Sequence, residues 1–411
     1  MPRRLHLRGR SDGRAATAGD GVTIELSVAI VGAGPAGVHA AGALSELAPG
    51  TRIDIFERLP APYGLVRHGI APDHPARVTK LTGELRAVLA GSGARLFCGV
   101  EIGTDVTVRD LRNRYDAVVI ATGARRDVPV ELPGLNLPGS FGAADFVAWY
   151  SGHPDASPAW TLRAESVAVI GAGNVALDVI RMLSKPAYAL AGTGIPLHVL
   201  NEFAASPVRD IHLFARRGPA DTRFSPTELG ELGDQDDVDV IVDPADLAPD
   251  LHMERMTRQF APTRKVVDIL RAWSRIPAAA RTASRRVHLH FYRIPAAVLG
   301  VDRVQGLRTE RAVPDGYGHI TGSGDYEDHK VQAVYRAIGY AVSPLAGVPF
   351  DPGTRTVPHR AGAVLGEPGL YVTGWAKRGC IGLVGATRAD TFQTARTLLQ
   401  DHVRERGTDH A

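Results

Sequence analysis

The stretch Val28-Ala-Ile-Val-Gly32-Ala-Gly34-Pro-Ala-Gly37 decides the fold of this chain. A short apolar run passes directly into a G-x-G-x-x-G pattern, which is typical of a buried strand that turns into a helix. In such a turn Gly32 makes the bend, Gly34 admits the diphosphate of a dinucleotide, and Gly37 lets the helix pack closely. The next strand ends at Glu57, 20 residues after Gly37. An acid there accepts hydrogen bonds from a ribose 2′-hydroxyl, so the pattern predicts a dinucleotide site.

A second glycine-rich turn lies in Val167-Ala-Val-Ile-Gly171-Ala-Gly173-Asn-Val-Ala176. The strand predicted after it, at 211–215, ends in Arg216 and Arg217 instead of an acid. An extra segment, 185–208, accounts for the long interval between the turn and the arginines. Two guanidinium groups at this place suit a 2′-phosphate. The two sites together predict FAD bound first along the chain and NADP(H) second, and therefore electron transfer between them.

Length and composition exclude several classes of protein. The chain has 411 residues, 44% of them hydrophobic and 22% charged, which is ordinary for a globular protein of two domains. The formal net charge of +3 gives no indication of nucleic acid, and no apolar run approaches the roughly 20 residues of a membrane span. The two cysteines, Cys98 and Cys380, form no C-x-x-C pair. This argues against a cysteine-bound iron–sulfur cluster and a redox-active disulfide. No cluster of His and Cys has the spacing of a metal site either.

The order of the predicted elements gives an α/β fold with two Rossmann-like dinucleotide-binding domains, the second inserted into the first. We expect residues 1–22 to form a disordered extension. The FAD-binding domain is predicted to comprise 23–126 and 330–411, and the NADP-binding domain 127–329. The final helix, predicted at about 386–405, places a row of apolar side chains that includes Val403 on one side.

The chain resembles the adrenodoxin-reductase type of ferredoxin–NADP⁺ reductase over roughly residues 24–400. Besides the glycine turns, the resemblance rests on the segments Tyr63-Gly-Leu-Val-Arg67, Ala71-Pro-Asp-His-Pro75, Arg216-Arg-Gly-Pro219 and Gly374-Trp-Ala-Lys-Arg-Gly379. It implies an enzyme that passes hydride from NADPH to FAD and then single electrons to an iron–sulfur ferredoxin. An oxidase such as a cytochrome P450 is the expected consumer of those electrons.

The resemblance also implies residues for each cofactor. The FAD contacts carried over are Ala36, Glu57, Leu65, Val100, Trp375, Gly382, Leu383 and Val384. The NADP(H) contacts carried over are Ala172, Gly173, Asn174, Val175, Arg216, Arg217, Glu228 and Gly382. An acid such as Glu228 suits a phosphate site if it orients the arginines or accepts a ribose hydroxyl.

Two further positions, His74 and Cys380, each have two possible interpretations. His74 is either a partner in proton movement and the candidate catalytic residue, or a loop histidine bonded to backbone. After Gly379 the family continues Pro-Thr-Gly, whereas this chain reads Cys380-Ile381-Gly382. The change lies in the segment where the resemblance places the nicotinamide near the flavin. Cys380 is accordingly a small buried apolar group or a thiol beside one of the two rings.

Partners and location are predicted from charge and from the resemblance. Residues 253–286 hold nine arginines and lysines and two acids, which indicates either a docking face for an acidic ferredoxin or a solvated surface. We expect a bacterial cytoplasmic enzyme in preference to one of the mitochondrial matrix. The competing functions are an NADPH-dependent flavin monooxygenase and a flavin-binding regulatory protein without catalysis.

Overall fold

The computed structural model describes residues 26–382 and 384–408. The predicted extension, 1–22, and Leu383 lie outside the described residues. The described chain forms two compact units. The first comprises residues 26–67, 76–125, 341–382 and 384–408, and the second comprises residues 68–75 and 126–340.

Eighteen strands lie in the described part of the chain. In chain order they are β1 Ser27–Val31, β2 Arg52–Glu57, β3 Arg95–Cys98, β4 Ala117–Ile120, β5 Arg126–Asp127, β6 Ser140–Gly142, β7 Ser166–Ile170, β8 Asp210–Phe214, β9 Val238–Val242, β10 Arg285–His290, β11 Arg293–Leu299, β12 Gly306–Pro314, β13 Ile320–His329, β14 Ala333–Arg336, β15 Tyr340–Ala341, β16 His359–Arg360, β17 Ala363–Val364 and β18 Leu370–Val372.

Thirteen α-helices connect the strands of the described chain. They are α1 Pro35–Leu47, α2 Leu65–His68, α3 Pro75–Gly91, α4 Val108–Arg112, α5 Ala143–Tyr150, α6 Asn174–Ser184, α7 Ala187–Leu190, α8 Leu197–Ala204, α9 Pro226–Gly233, α10 Leu251–Gln259, α11 Ala261–Ser274, α12 Trp375–Arg378 and α13 Val384–Thr408. None of the helices in the described residues is both long and apolar enough to cross a membrane.

The first unit is built on a seven-stranded sheet in the order β16-β17-β18-β4-β1-β2-β3. From β18 to β3 the strands run parallel, and β16 and β17 add an antiparallel edge. Strand β1 is apolar on both faces because it lies at the centre of the sheet. The chain leaves β1 for β2 on one side and reaches β4 on the other, which makes the carboxyl end of β1 a topological switch point.

The second unit repeats this plan with the sheet β6-β14-β7-β8-β10-β9, whose strands all run parallel. Its switch point lies at the carboxyl end of β7, between β8 and β14. An antiparallel sheet, β11-β12-β13, belongs to the same unit. The predicted fold class, α/β with two Rossmann-like domains of which one is inserted into the other, is confirmed.

The predicted domain boundaries need two corrections. The return to the first domain was placed at residue 330, but β14 hydrogen-bonds β6 and β7 in the second sheet, so the second unit continues to Tyr340. The segment His68–Pro75 was placed in the first domain, but it groups with the second unit, because Ala71 belongs to that unit's apolar core.

Helices α10 and α11 meet at Phe260, and Pro262 lies in the first turn of α11, where its missing N–H costs nothing. The prediction for the final helix is refined by the structure. The final helix buries Ala395 and Leu398 in the first core, but Val403 is 58% exposed and does not belong to the apolar row.

Candidate functional site

The first glycine turn has the close contacts that its pattern predicts. Gly32 has a φ of +105°, and a Cβ there would lie 2.6 Å from the carbonyl oxygen of Ala121 at the end of β4. A Cβ on Gly37 would lie 1.8 Å from the carbonyl oxygen of Gly32. Among the described residues, a Cβ on Gly34 would meet nothing within 4 Å, and no side chain caps the start of α1. The backbone N–H groups of that start therefore face space into which an anion fits.

Glu57 is fixed at the carboxyl end of β2. Its Oε2 accepts the N–H of Ala33 at 2.8 Å, and its Oε1 accepts the N–H of Leu59 at 2.9 Å. The N–H of Val100 binds the Glu57 carbonyl at 3.0 Å, which brings Val100 beside the acid. Each carboxylate oxygen can accept a further hydrogen bond, so Glu57 is compatible with a ribose hydroxyl.

The loop that carries Leu65 lies against the same turn. The N–H of Tyr63 donates to the carbonyl of Ala33 at 2.8 Å. Tyr63 has a φ of +87°, which is uncommon for a residue other than glycine and costs on the order of 1–3 kcal/mol. Gly64 follows within 3.4 Å of Gly34, measured from the Cβ that Gly64 would carry. The strained loop thus places Leu65, the first residue of α2, near the start of α1.

The segment that carries Trp375 also passes near the start of α1. A Cβ on Gly374 would come 2.5 Å from the Cβ of Ala36, so the chain passes directly over α1. The indole N–H of Trp375 donates to the carbonyl of Gly382 at 3.4 Å. Asp390 of α13 accepts the N–H of Gly374 at 2.7 Å and pairs with Lys377 at 2.8 Å.

Val384 begins α13. Cys380 is partly buried, and burial raises the pKa of its thiol to about 11. It is therefore protonated at neutral pH and a poor nucleophile, in agreement with a small packing group.

The second glycine turn has the same design. Gly171 has a φ of +135°, and a Cβ there would lie 2.2 Å from the carbonyl oxygen of Ala337 at the end of β14. Ala176 replaces the third glycine and is fully buried in the core. Gly173 has open space on its Cβ side, and no side chain caps the start of α6. Ala172, Asn174 and Val175 complete this turn.

Arg216 and Arg217 directly follow β8, where the pattern predicts the adenosine ribose. Both side chains are exposed, and neither guanidinium has an ion-pair or hydrogen-bond partner among the described residues. Strand β8 hydrogen-bonds β7, so the arginines leave the sheet next to the Gly171 turn. Two free cations at this edge are compatible with a phosphate.

His74 and Glu228 meet at the buried guanidinium of Arg181, which the sequence analysis did not single out. Arg181 Nη2 lies 2.6 Å from His74 Nε2, and Nη1 donates to Glu228 Oε2 at 3.2 Å. The same guanidinium binds Asp73 at 2.6 Å and Asp178 at 2.5 Å. His74 Nε2 lies 3.7 Å from Glu228 Oε2. The side chain of His74 thus belongs to an ionic cluster. The backbone N–H of His74 donates separately to the Ala71 carbonyl.

Two carboxyl groups of this cluster, those of Asp73 and Asp178, differ widely in pKa. Burial alone would raise the pKa of Asp73, but hydrogen bonds and charge from Arg181 and Lys185 lower it to about 2. Burial raises the pKa of Asp178 to about 7, a shift that Arg181 opposes and Glu228 reinforces. At neutral pH the cluster therefore holds a permanent anion and an acid close to its titration point.

His74, Asp178 and Glu228 bring ligand atoms within 4.8 Å of one another. A carboxylate–imidazole group of this kind is able to hold a divalent ion. Here the guanidinium of Arg181 contacts all three side chains and supplies the positive charge. The sequence signal for this role was available, because Arg181 interrupts the apolar run Val179–Leu183, whose other members are all buried.

The chain is similar to known proteins over most of its length. Residues 26–201 match the family model described as pyridine nucleotide-disulphide oxidoreductase. The NADPH-ferredoxin reductase FprA of Mycobacterium tuberculosis is 36% identical over 386 residues, which are 91% of this chain and 83% of the relative. The mitochondrial NADPH:adrenodoxin oxidoreductase of Bos taurus is 36% identical over 388 residues, with 91% and 78% covered.

Solved structures agree with the sequence comparison. The structure of Mycobacterium tuberculosis FprA in complex with NADPH superposes with a TM-score of 0.87 and 35% identity, covering 94% of this chain and 86% of that one. Identity above 30% over more than two thirds of the relatives extends through both units. The chain therefore belongs to the family of NADPH-ferredoxin reductases and NADPH:adrenodoxin oxidoreductases.

Proposed function

We propose that this chain is a flavoenzyme that oxidises NADPH and reduces an iron–sulfur ferredoxin. The observation that carries the proposal is the contrast between two similar glycine turns, one followed by Glu57 and the other by Arg216 and Arg217. The membership in the reductase family supports it. FAD, when bound, accepts two electrons as hydride and returns them singly.

The first unit is the proposed FAD site. Its glycine turn leaves space for the diphosphate, and Glu57 has acceptor capacity left for the ribose. The other residues that we assign to FAD in this unit are Gly32, Gly34, Ala36, Gly37, Leu65, Val100, Trp375, Gly382 and Val384. Leu383 is assigned to the same site by the resemblance alone.

The second unit is the proposed NADP(H) site. The start of α6 binds the diphosphate through Ala172, Gly173, Asn174 and Val175, while Arg216 and Arg217 bind the 2′-phosphate. The side chain of Asn174 accepts the N–H of Ser225 at 2.9 Å, which ties this turn to α9 and Glu228. Glu228 is held by Arg181, so its negative charge is compensated near the phosphates. Gly382, in the first unit, is a further proposed NADP(H) contact.

His74 is the proposed proton-holding group of the second unit. Because a guanidinium only donates, His74 Nε2 accepts from Arg181, which leaves Nδ1 as the ring nitrogen that carries the proton. The imidazole is thereby fixed in one orientation and one tautomer. Hydride transfer itself needs no side chain as acid or base, so the expected contribution of His74 is positioning and proton exchange with solvent.

Anaerobic titration tests the proposed function. NADPH is added to the purified flavoprotein under nitrogen, NADH is added in a parallel sample, and ferredoxins are then offered as acceptors. We expect NADPH to bleach the bound flavin, NADH to do so only at far higher concentration, and an acidic ferredoxin to restore the colour. A protein that binds no FAD, or whose flavin stays oxidised with NADPH, contradicts the proposal. Substrate-stimulated NADPH oxidation in air identifies a monooxygenase instead.

The exposed face of α11 is the proposed docking surface for the ferredoxin. Arg264, Lys265 and Arg275 are exposed and have no ion-pair partner among the described residues. The two acids of the region are neutralised locally, since Glu254 pairs with Arg258 and Asp268 with Arg271. The opposite face of α11 is anchored in the unit by buried Val266, Val267 and Leu270. A rigid basic face of this kind steers acidic partners in weak electron-transfer encounters.

Charge reversal tests the docking surface. We expect R264E/K265E to lower the rate of ferredoxin reduction about tenfold or more at low salt, with the NADPH-dependent bleaching of the flavin unchanged. The control is R303E, a single charge reversal on an exposed residue of the same unit outside α11, and its effect is compared with that of the double variant per reversed charge. Equal effects of the two variants, or a rate that does not depend on salt, contradict docking at α11.

The remaining expectations concern the cell. The mycobacterial relatives support a bacterial enzyme, and we propose a cytoplasmic location. An oxidase such as a cytochrome P450 as the final electron acceptor is proposed from the sequence resemblance alone.

A further inference from the structure

Arg223 lies beside the second glycine turn, in the segment between β8 and α9. Its backbone N–H donates to the carbonyl of Ala172 at 2.7 Å, and the residue forms a parallel bridge with Gly173. Two residues later the N–H of Ser225 donates to Asn174 at 2.9 Å. The chain around Arg223 therefore runs alongside residues 172–174 and is held there by one isolated bridge.

The side chain of Arg223 is available for a ligand. It is exposed, and its guanidinium has no ion-pair or hydrogen-bond partner among the described residues. The neighbouring Phe224 is buried in the core of the unit, which fixes the backbone from which the side chain extends. On the Cβ side of Gly173 the space is open to 4 Å. A free cation thus stands next to an open backbone cradle.

We propose that Arg223 binds the diphosphate of NADP(H). The diphosphate of a dinucleotide approaches the second glycine of the turn and the N-terminus of the following helix. Bridged residues of neighbouring strands lie about 4.8 Å apart, a distance that an arginine side chain spans. The guanidinium forms charge-assisted, bidentate hydrogen bonds with phosphate oxygens. This inference rests on the coenzyme site proposed above and adds a residue to it.

Arg223 differs in its task from Arg216 and Arg217. Those two follow the end of β8, where the pattern places the adenosine ribose and its 2′-phosphate, whereas Arg223 is bonded to the turn itself. The diphosphate is common to NADP(H) and NAD(H), but the 2′-phosphate is not. Arg223 therefore contributes affinity to both coenzymes equally, and the arginines after β8 provide the discrimination between them.

Binding of coenzyme fragments to the oxidised holoenzyme tests the inference by calorimetry. ADP-ribose contains the diphosphate without a 2′-phosphate, and 2′-AMP contains the 2′-phosphate without a diphosphate. We expect R223A to weaken ADP-ribose and NADP⁺ about tenfold or more and to leave 2′-AMP unchanged. R217A should weaken the binding of 2′-AMP and leave that of ADP-ribose unchanged. R303A, an exposed arginine in the same unit, is the control for loss of charge.

The outcomes separate the inference from the proposed function. Unchanged ADP-ribose affinity in R223A shows a surface cation only and overturns the inference while the coenzyme site stands. Loss of 2′-AMP binding in R223A assigns the residue to the 2′-phosphate and also overturns it. If the wild-type protein binds neither fragment nor NADP⁺, the proposed function fails together with the inference. Because Arg223 is exposed, the thermal midpoint of R223A should stay within a degree or two of wild type.

Discussion

Arg181 Nη2 and His74 Nε2 lie 2.6 Å apart in the interior of the second unit. One side chain of α6 therefore fixes the tautomer of the imidazole, and its other nitrogen atoms hold Asp73, Asp178 and Glu228. A buried cation shared by three carboxyl groups and an imidazole makes Arg181 a positioning residue for the proposed coenzyme site.

Replacing Arg181 is expected to affect both stability and the state of His74. R181M leaves buried acids without their cation and should cost about 3–5 kcal/mol in the free energy of unfolding, measured with urea. R181K keeps the charge but loses the fork of donors. In R181K we expect the ¹⁵N spectrum of His74 to show a mixture of tautomers, against a single Nδ1–H form in the wild type.

A control separates this effect from general loss of an ion pair. Arg311 binds the buried Asp246 at 2.8 Å in the same unit. R311K should lower stability without changing the His74 signals. A His74 spectrum that is identical in R181K and the wild type contradicts the positioning role.

The two glycine turns are expected to respond differently to exchange of their third residue. G37A forces a Cβ to within 1.8 Å of the Gly32 carbonyl, so the protein should lose most of its bound flavin and unfold more easily. A176G removes a buried methyl group and adds backbone freedom, which together cost roughly 1–2 kcal/mol. G83A on the exposed side of α3 is the control and should be neutral or slightly stabilising, because a Cβ there meets nothing within 4 Å. Flavin content and thermal midpoint measure the three variants.

A stacked row of histidines should make the second unit sensitive to acid. His212 and His290 lie with ring centroids 5.3 Å apart, and His212 stacks on His288 at 4.4 Å. Burial and the neighbouring His288 lower the pKa of His212 to about 4, and burial and His212 lower that of His290 to about 3. In the unfolded chain both titrate near 6.5, so their contribution to stability is complete above pH 6.5 and is lost as the pH falls towards 4 and 3.

In the double variant H212Q/H290Q we expect the free energy of unfolding to fall less steeply as the pH is lowered below 6.5. Each imidazole accounts for a slope of up to about 1.4 kcal/mol per pH unit in the free energy of unfolding. Asp178 acts with the opposite sign, since its raised pKa makes the folded protein lose stability as the pH rises from about 4 to 7. Because Asp178 is present in both proteins, its contribution cancels when the free energy of unfolding of the wild type is subtracted from that of the variant. H319Q, on an 84% exposed histidine, is the control and should follow the wild-type curve.

Selection of the coenzyme should depend on the arginines after β8. Each charge-assisted contact is worth roughly 1.5–3 kcal/mol, so R216A/R217A should lower the preference for NADPH over NADH about a hundredfold or more. The ratio of kcat/KM for the two coenzymes measures this preference. Equal losses for both coenzymes would mean that the arginines do not contact the 2′-phosphate.

The sequence predicted the elements that are tied to local chemistry. Strands β1, β2 and β7 and their turns could be placed because apolar runs, glycines and the residues Glu57 and Arg216 occur at fixed spacing. Residues 115–123 and 331–339 each supply the carbonyl that faces a glycine turn, from Ala121 and Ala337. Their allocation to domains could not be predicted, because β14 is assigned by its pairing with β7 and not by its composition.

The polar cluster around His74 was only partly accessible from the sequence. His74 and Glu228 were singled out, but Arg181 and Asp73 join them through contacts between residues more than a hundred positions apart. Arg223 has no motif of its own. Its place beside Gly173 follows from one backbone hydrogen bond and one bridge, which depend on how the segment before α9 crosses the turn.

The neighbouring positions of β4 and β18 constrain the order in which the protein matures during translation. These strands are adjacent in the first sheet, although 249 residues separate Ile120 from Leu370. Helix α13, which packs on α1, is made later still. On the ribosome the second unit is therefore synthesised in full while the first still lacks β16, β17, β18 and the covering helix α13. The nascent amino-terminal segment must wait, exposed to chaperones, until the carboxyl end emerges.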